Sequence, residues 1–143
     1  MPHPLGGEHL TKNIENIKHQ GYEVIISMLT HEEQKELDLL NEGQICKRNN
    51  ILFMNFPIRD EVADSDANTI KFVNDLESVQ KLKNKIIFHC RGGVGRSSMI
   101  LSLLVSRLGV TPKVSFELIS KSRGKVAPEN EIQKQWVNKL SKI

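Results

Sequence analysis

KIIFHCRGGVGRSSMILSLLVSRLG, residues 85–109, passes from a short apolar run through a glycine-rich turn into a long apolar segment. KIIFHC is short and rich in β-branched and aromatic residues, the pattern of a strand buried on both faces of a parallel sheet. SSMILSLLVSRLG is apolar on nearly every helical face, which places a helix at the centre of the fold, with Gly109 as its stop. Between them, Gly92, Gly93 and Gly95 permit a tight turn. A strand, a glycine-rich turn and a helix in this order predict a ligand site at the carboxyl end of a strand in an α/β sheet.

The flanking sequence extends the same plan. YEVIISML (22–29) and ILFMNFPI (51–58) are further buried-strand runs. Thr11 to Gln20 sets Ile14 and Ile17 three apart, with Gly21 as a stop, and Thr30 starts a second helix in which Glu33 completes a capping box. Asp66 to Lys83 carries Ile70, Val73, Leu76 and Val79 at spacings of three, a long amphipathic helix. Pro112 and Pro128 fit the first turns of two last helices, ending near Lys121 and Leu140. The predicted fold is a three-layer α/β fold with a mostly parallel central sheet flanked by helices.

The chain's 143 residues fit one domain, residues 1–143, with no linker or repeat. At 38% hydrophobic and 26% charged it reads as an ordinary globular protein. A net charge of +3 permits an anionic substrate, yet the basic residues are too scattered to argue for nucleic acid. Cys46 and Cys90 are distant and lack CxxC spacing, and His3 and His9 lack metal-ligand spacing, so neither a disulfide framework nor a metal site is expected. MPHPLGGEHLTKN carries no apolar signal region, and no run approaches a membrane span. A cytoplasmic monomer without membrane contact is expected.

Phosphate binding needs several donors converging from one side, and successive backbone N–H groups entering a helix N-terminus supply them. Arg91, Gly92, Gly93, Val94 and Gly95 form such a wrap, and Arg96 adds a planar fork suited to a tetrahedral oxyanion. Cys90 lies in the same electropositive surroundings, where a thiol loses its proton at neutral pH. His89 is placed to orient the loop backbone, and the Ser97 hydroxyl to stabilise sulfur as a leaving group. A plain tight turn with a small buried cysteine is the competing reading; the completeness of the string favours a site.

His89, Cys90, Gly95, Arg96 and Ser97 match HCx5R(S/T), and the chain thereby resembles the cysteine-dependent protein phosphatases, above all their compact dual-specificity branch. The resemblance implies that Cys90 attacks phosphorus to form a phosphocysteine, that Arg96 binds the phosphoryl oxygens, and that Ser97 assists breakdown. It implies a phosphorylated protein substrate and no metal or organic cofactor, and the short loops lead us to expect dual specificity with phosphotyrosine before phosphoserine or phosphothreonine. Asp60 in FPIRD occupies the aspartate of a PIxD pattern in compact members, which makes it the general acid and the later base for water. Several relatives carry proline where this chain has Asp64, so Glu61 and Asp64 stay open as alternatives.

RGKVAPENEIQKQWV, from Arg123, resembles the RGxxVPETPEQ ending of small bacterial tyrosine and dual-specificity phosphatases, with Gln133 on its glutamine. Gln133 either positions water or packs and caps a helix, packing being favoured. Arg123 is read as tying the last connection to the core, Trp136 as a packing anchor, and Cys46 as an ordinary thiol rather than a resolving cysteine. Arg59 is equally a substrate contact or a solvated residue.

Three rival functions stay in view: a phosphate-reading module without turnover, a phosphatase for a phosphoinositide or RNA 5′-phosphate, and a sulfurtransferase. The loop contains no lysine, which counts against multiply phosphorylated headgroups, while Arg91 leaves such a substrate open.

Overall fold

The computed structural model describes residues 1–143. Its sheet has three parallel strands, β1 (Val24–Ser27), β2 (Leu52–Asn55) and β3 (Ile86–His89), in the order β2-β1-β3. Ile25 stands opposite Phe53 on one side and Ile87 on the other. Parallel neighbours require long crossovers. Helices α2 (His31–Glu36) and α3 (Glu42–Arg48) connect β1 to β2, and α4 (Asp66–Leu82) connects β2 to β3. Helix α1 (Leu10–His19) precedes the sheet, while α5 (Arg96–Arg107), α6 (Pro112–Arg123) and α7 (Glu131–Leu140) follow it.

Alternation along the strands divides the interior into two cores. Val24, Ile26 and Phe88 face Leu76, Met99, Ile100, Leu103 and Val137 from α4, α5 and α7. Ile25 and Ile87 face Leu10, Ile14, Ile45 and Cys46 from α1 and α3. The expected three layers are therefore present. The expectation that all three strands are buried on both faces holds for β1 but fails for β2, where Leu52 is 44% exposed. β2 lies at an edge of the three-stranded sheet, and Phe53 and Met54, on its opposite faces, are only partly buried against the two cores.

Two helix boundaries also differ from the sequence reading. The HEEQKELDLL segment begins as expected, with the Thr30–Glu33 capping box formed, but α2 ends at Glu36 because Asp38 turns the chain with φ of 53°. A separate α3 follows, unforeseen because NEGQICKRNN carries little helical signal. The last helix starts at Glu131 rather than at Pro128, since Asn130 is its N-cap and accepts the Gln133 N–H at 3.0 Å. Pro128 follows a cis peptide bond one turn upstream. Trp136 anchors α7 as expected, donating its indole N–H to Asp66 of α4 at 2.9 Å.

Helix α5 runs through the middle of the molecule, packed by β3, α4, α6 and α7, with Ser97, Ser98, Met99, Ile100, Ser102, Leu103 and Leu104 all buried. Its N-terminus and the end of β3 meet at residues 90–95, the position predicted for a site.

Candidate active site

At the end of β3 the chain turns back over the sulfur of Cys90. Gly93 adopts φ of 74°, a left-handed conformation that favours glycine, and its amide donates to Cys90 Sγ at 3.2 Å. A side chain at Gly93 would also strike the backbone of Met1 and Pro2. Ser97 Oγ lies 3.4 Å from the same sulfur. Burial of Cys90 is the largest single influence on its proton and opposes ionisation. The Ser97 hydroxyl, the Ser97 and Gly93 amides and the Arg96 charge together outweigh it and hold the thiol below its ordinary range.

Arg96 is held from behind. Its two terminal nitrogens reach both carboxylate oxygens of Glu33 at 2.7 and 2.8 Å, and Nη1 also donates to the Ile58 carbonyl at 2.7 Å. A guanidinium has five N–H donors. Three are engaged here, so one N–H on Nη2 and the Nε–H are left on the same side as a fork. The Glu33 contact is the largest cause raising the Arg96 pKa, and the Arg96 hydrogen bond likewise lowers that of Glu33.

Further polar contacts tie the loop to distant elements. His89 Nε2 lies 2.7 Å from Glu42 Oε1 on α3, both side chains fully shielded, and His89 Nδ1 lies 3.3 Å from the Cys90 carbonyl. Arg123, at the end of α6, donates to the Gly93 and Gly92 carbonyls at 3.0 and 3.3 Å. The structural reading of Arg123 is thus realised in these two bonds. Arg91 turns outward and pairs with Glu36 at 3.1 Å.

Across from the loop, Arg59, Asp60 and Glu61 line the same cavity of about 940 Å³ as Cys90, Arg91, Gly92, Gly95, Arg96 and Gln133. Asp64 is not among the lining residues. Val94, within the loop, is buried. Gln133 is 2% exposed; its Oε1 accepts the Glu129 N–H at 2.9 Å and its Nε2 donates to the Glu61 carbonyl at 3.1 Å. Asn130 donates to Glu61 Oε1 at 3.1 Å, so that carboxylate is engaged, whereas Asp60 is exposed at the mouth. The structure therefore brings Cys90, Arg96, Ser97, His89, Gln133 and Asp60 into one neighbourhood.

Three contributors escaped the sequence reading. Glu33 was visible only as a capping residue, because its second task faces a helix distant in sequence. Glu42 lies in the unforeseen α3, and nothing in NEGQICKRNN marks it. Glu129 precedes Asn130 in the RGKVAPENEIQ ending, and it too lines the cavity. Cys46 and Cys90 belong to the cores on opposite faces of the sheet. No cluster of three or more His, Cys, Asp or Glu side chains is arranged to hold a metal ion.

A parallel α/β sheet in which one strand delivers a cysteine into a glycine-rich anion loop at a helix N-terminus is the arrangement of the cysteine-dependent phosphatase superfamily. The chain belongs to the family described as PTP-SAK, Swiss Army Knife protein, DSP-PTPase phosphatase domain, whose model matches residues 5–139. It is 34% identical over 97 residues to the "Putative tyrosine phosphatase 067L" of Invertebrate iridescent virus 3, covering 58% of this chain and 38% of that protein. It is 23% identical over 134 residues to cyclin-dependent kinase inhibitor 3 of Sus scrofa, covering 92% of this chain and 63% of that one. The chain thus spans less than two thirds of either curated relative.

Among solved structures, kinase-associated phosphatase with its catalytic cysteine replaced by serine superposes with a TM-score of 0.86 at 19% identity, covering 99% of this chain and 83% of that one. PTPMT1 in complex with PI(5)P gives 0.75 at 19% identity, covering 97% and 87%. These structures share the fold. No helix is long and apolar enough to cross a membrane.

Proposed function

We propose that the chain is a protein phosphatase that hydrolyses phosphotyrosine, and also phosphoserine and phosphothreonine, through a phosphocysteine intermediate. The observation that carries this reading is the pairing of a Cys90 thiol held below its ordinary pKa with an Arg96 fork left open beside it. The thiolate attacks phosphorus, and the amides of residues 91–96 with the Arg96 fork take the equatorial oxygens of the transition state. Asp60 gives a proton to the departing oxygen. Ser97 steadies the sulfur, and His89 fixes the carbonyl at the loop's start. A reactive thiolate needs a reducing compartment, which supports a cytoplasmic location, and nothing in the mechanism requires a second copy.

The rival substrate, a phosphoinositide, needs a cation for each additional phosphate. Arg91, the loop's extra cation, is already paired with Glu36, which favours singly phosphorylated protein side chains. The test is turnover of p-nitrophenyl phosphate by the purified chain, then a side-by-side panel of phosphotyrosine, phosphothreonine and phosphoinositide substrates. Activity on phosphopeptides that is abolished in Cys90→Ser supports the proposal. Exclusive activity on phosphoinositides, or on phosphothreonine alone, overturns the substrate assignment.

A further inference from the structure

The phosphocysteine must be hydrolysed, and the groups resting on Gly95 are suited to that step. A Cβ added at Gly95 would lie 2.8 Å from Glu129 Oε2 and 3.0 Å from Gln133 Nε2. Glycine at this position therefore lets a carboxylate and a carboxamide lie side by side on the loop, next to Arg96. The backbone of Glu129 is held by the Gln133 side chain at 2.9 Å, which fixes where its side chain starts. Its carboxylate makes no ion pair and lies close enough to Arg96 to help keep that guanidinium protonated.

Three acidic residues line the cavity, Asp60, Glu61 and Glu129. They are not equivalent. The Glu61 carboxylate is engaged by Asn130 at 3.1 Å. Asp60 lies on the loop after β2, exposed and without a side-chain hydrogen bond to fix it, as suits a group that meets the departing oxygen. Glu129 is on the wall that Gln133 shares. Of the two N–H groups on Gln133 Nε2, one goes to the Glu61 carbonyl at 3.1 Å and the second is free. A free N–H beside a free carboxylate is the donor and acceptor pair that orients and deprotonates one water molecule.

We infer that Glu129 is a catalytic residue, the general base of the second step, with Gln133 orienting the water; the inference rests on the phosphocysteine chemistry proposed above. Once the first leaving group has departed, the phosphoryl group is bonded to Cys90 Sγ. Water between Glu129 and Gln133 attacks phosphorus and passes its proton to the Glu129 carboxylate. An O–P bond forms, the S–P bond breaks, and its electron pair returns to Cys90 as the thiolate, steadied by the Ser97 hydroxyl. Inorganic phosphate leaves, Glu129 returns its proton to solvent, and Asp60, ionised in the first step, takes one up from solvent for the next turnover. The two steps thus use separate carboxyl groups, with Glu129 taking the role of base that the resemblance assigns to Asp60.

Glu129→Gln in the full chain tests this by rapid mixing with p-nitrophenyl phosphate and by the intact mass of acid-quenched enzyme. The expected result is a kcat lowered about 100-fold, the lower end of the usual contribution of a general base, with kcat/KM and the initial burst of p-nitrophenolate unchanged. Enzyme heavier by one phosphoryl group accumulates at steady state, and Glu129→Asp restores part of kcat. Wild-type kcat in Glu129→Gln overturns the inference. So does a parallel fall in kcat and kcat/KM without phosphoenzyme, which a structural or first-step role would give. Turnover by the wild type with that result leaves the phosphatase reading standing; no turnover by the wild type overturns both.

Discussion

Replacing Glu33 with glutamine should disarm Arg96 while leaving the fold nearly intact. In the wild type the two carboxylate oxygens accept from Arg96 at 2.7 and 2.8 Å, with the paired side chains only 15% and 17% exposed. Glutamine replaces one oxygen with an NH2 group that faces another donor, so one charge-assisted bond is lost and the fork is free to swing. Such a bond contributes roughly 1.5–3 kcal/mol, and at about 2 kcal/mol the expected fall in kcat/KM is about 30-fold. The control is Thr30→Ala, which removes the hydroxyl that accepts the Glu33 N–H and donates to Glu33 Oε2, both at 3.3 Å, while both Arg96 bonds to the carboxylate remain. It should cost about 1 kcal/mol of stability and keep kcat/KM. Because Arg96 lowers the Glu33 pKa, the pair stabilises the fold above the ordinary carboxylate pKa, and that stability disappears as pH falls through the lowered value. The Tm deficit of Glu33→Gln should therefore shrink in acid. Tighter inhibition by inorganic phosphate, or kcat/KM within twofold of wild type, would refute the idea that Glu33 aims the guanidinium.

Other contacts make separate predictions. The acid limb of kcat/KM should follow ionisation of Cys90, with activity present above its lowered pKa and lost below it; Ser97→Ala should move that limb to higher pH. Glu42→Ala leaves His89 Nε2 buried without a partner, which should cost about 1–3 kcal/mol in thermal unfolding and lower kcat as well, whereas Glu42→Gln should recover most of both. Arg123→Ala removes the two donors on the Gly92 and Gly93 carbonyls, both bonds partly open to solvent, and a fall in kcat/KM of about fivefold, equivalent to roughly 1 kcal/mol, is expected in steady-state assays.

The parts of this site that the sequence announced are those whose function is local. Cys90, Arg96 and Ser97 work through a turn of a few residues, and the helix dipole and loop amides follow from glycine spacing alone. The central α5 and the three strands declared themselves through apolar runs. What was hidden depends on chain crossings. Glu33 reaches Arg96 from a helix more than sixty positions away, and Glu42 reaches His89 from a helix with almost no amphipathic pattern. Pro128 looked like a helix start because proline tolerates the first turn, but Asn130 offers a side-chain acceptor to the Gln133 amide and moves the boundary. The β2 run looked doubly buried because a strand's composition does not reveal whether it lies at an edge.

The separation of the two cysteines into opposite cores gives the molecule an internal clock. Cys90 opens onto the cavity as a ready nucleophile, while Cys46 has no exposed surface and its thiol is pushed up to about 12, first by burial and then by Glu42. An alkylating reagent therefore reaches Cys46 only when α1 and α3 part from the sheet, at which point its thiol returns to an ordinary acidity. Labelling at Cys90 follows competence of the site, and labelling at Cys46 follows transient opening of the far layer. One reagent and one tube thus time two motions of the same chain.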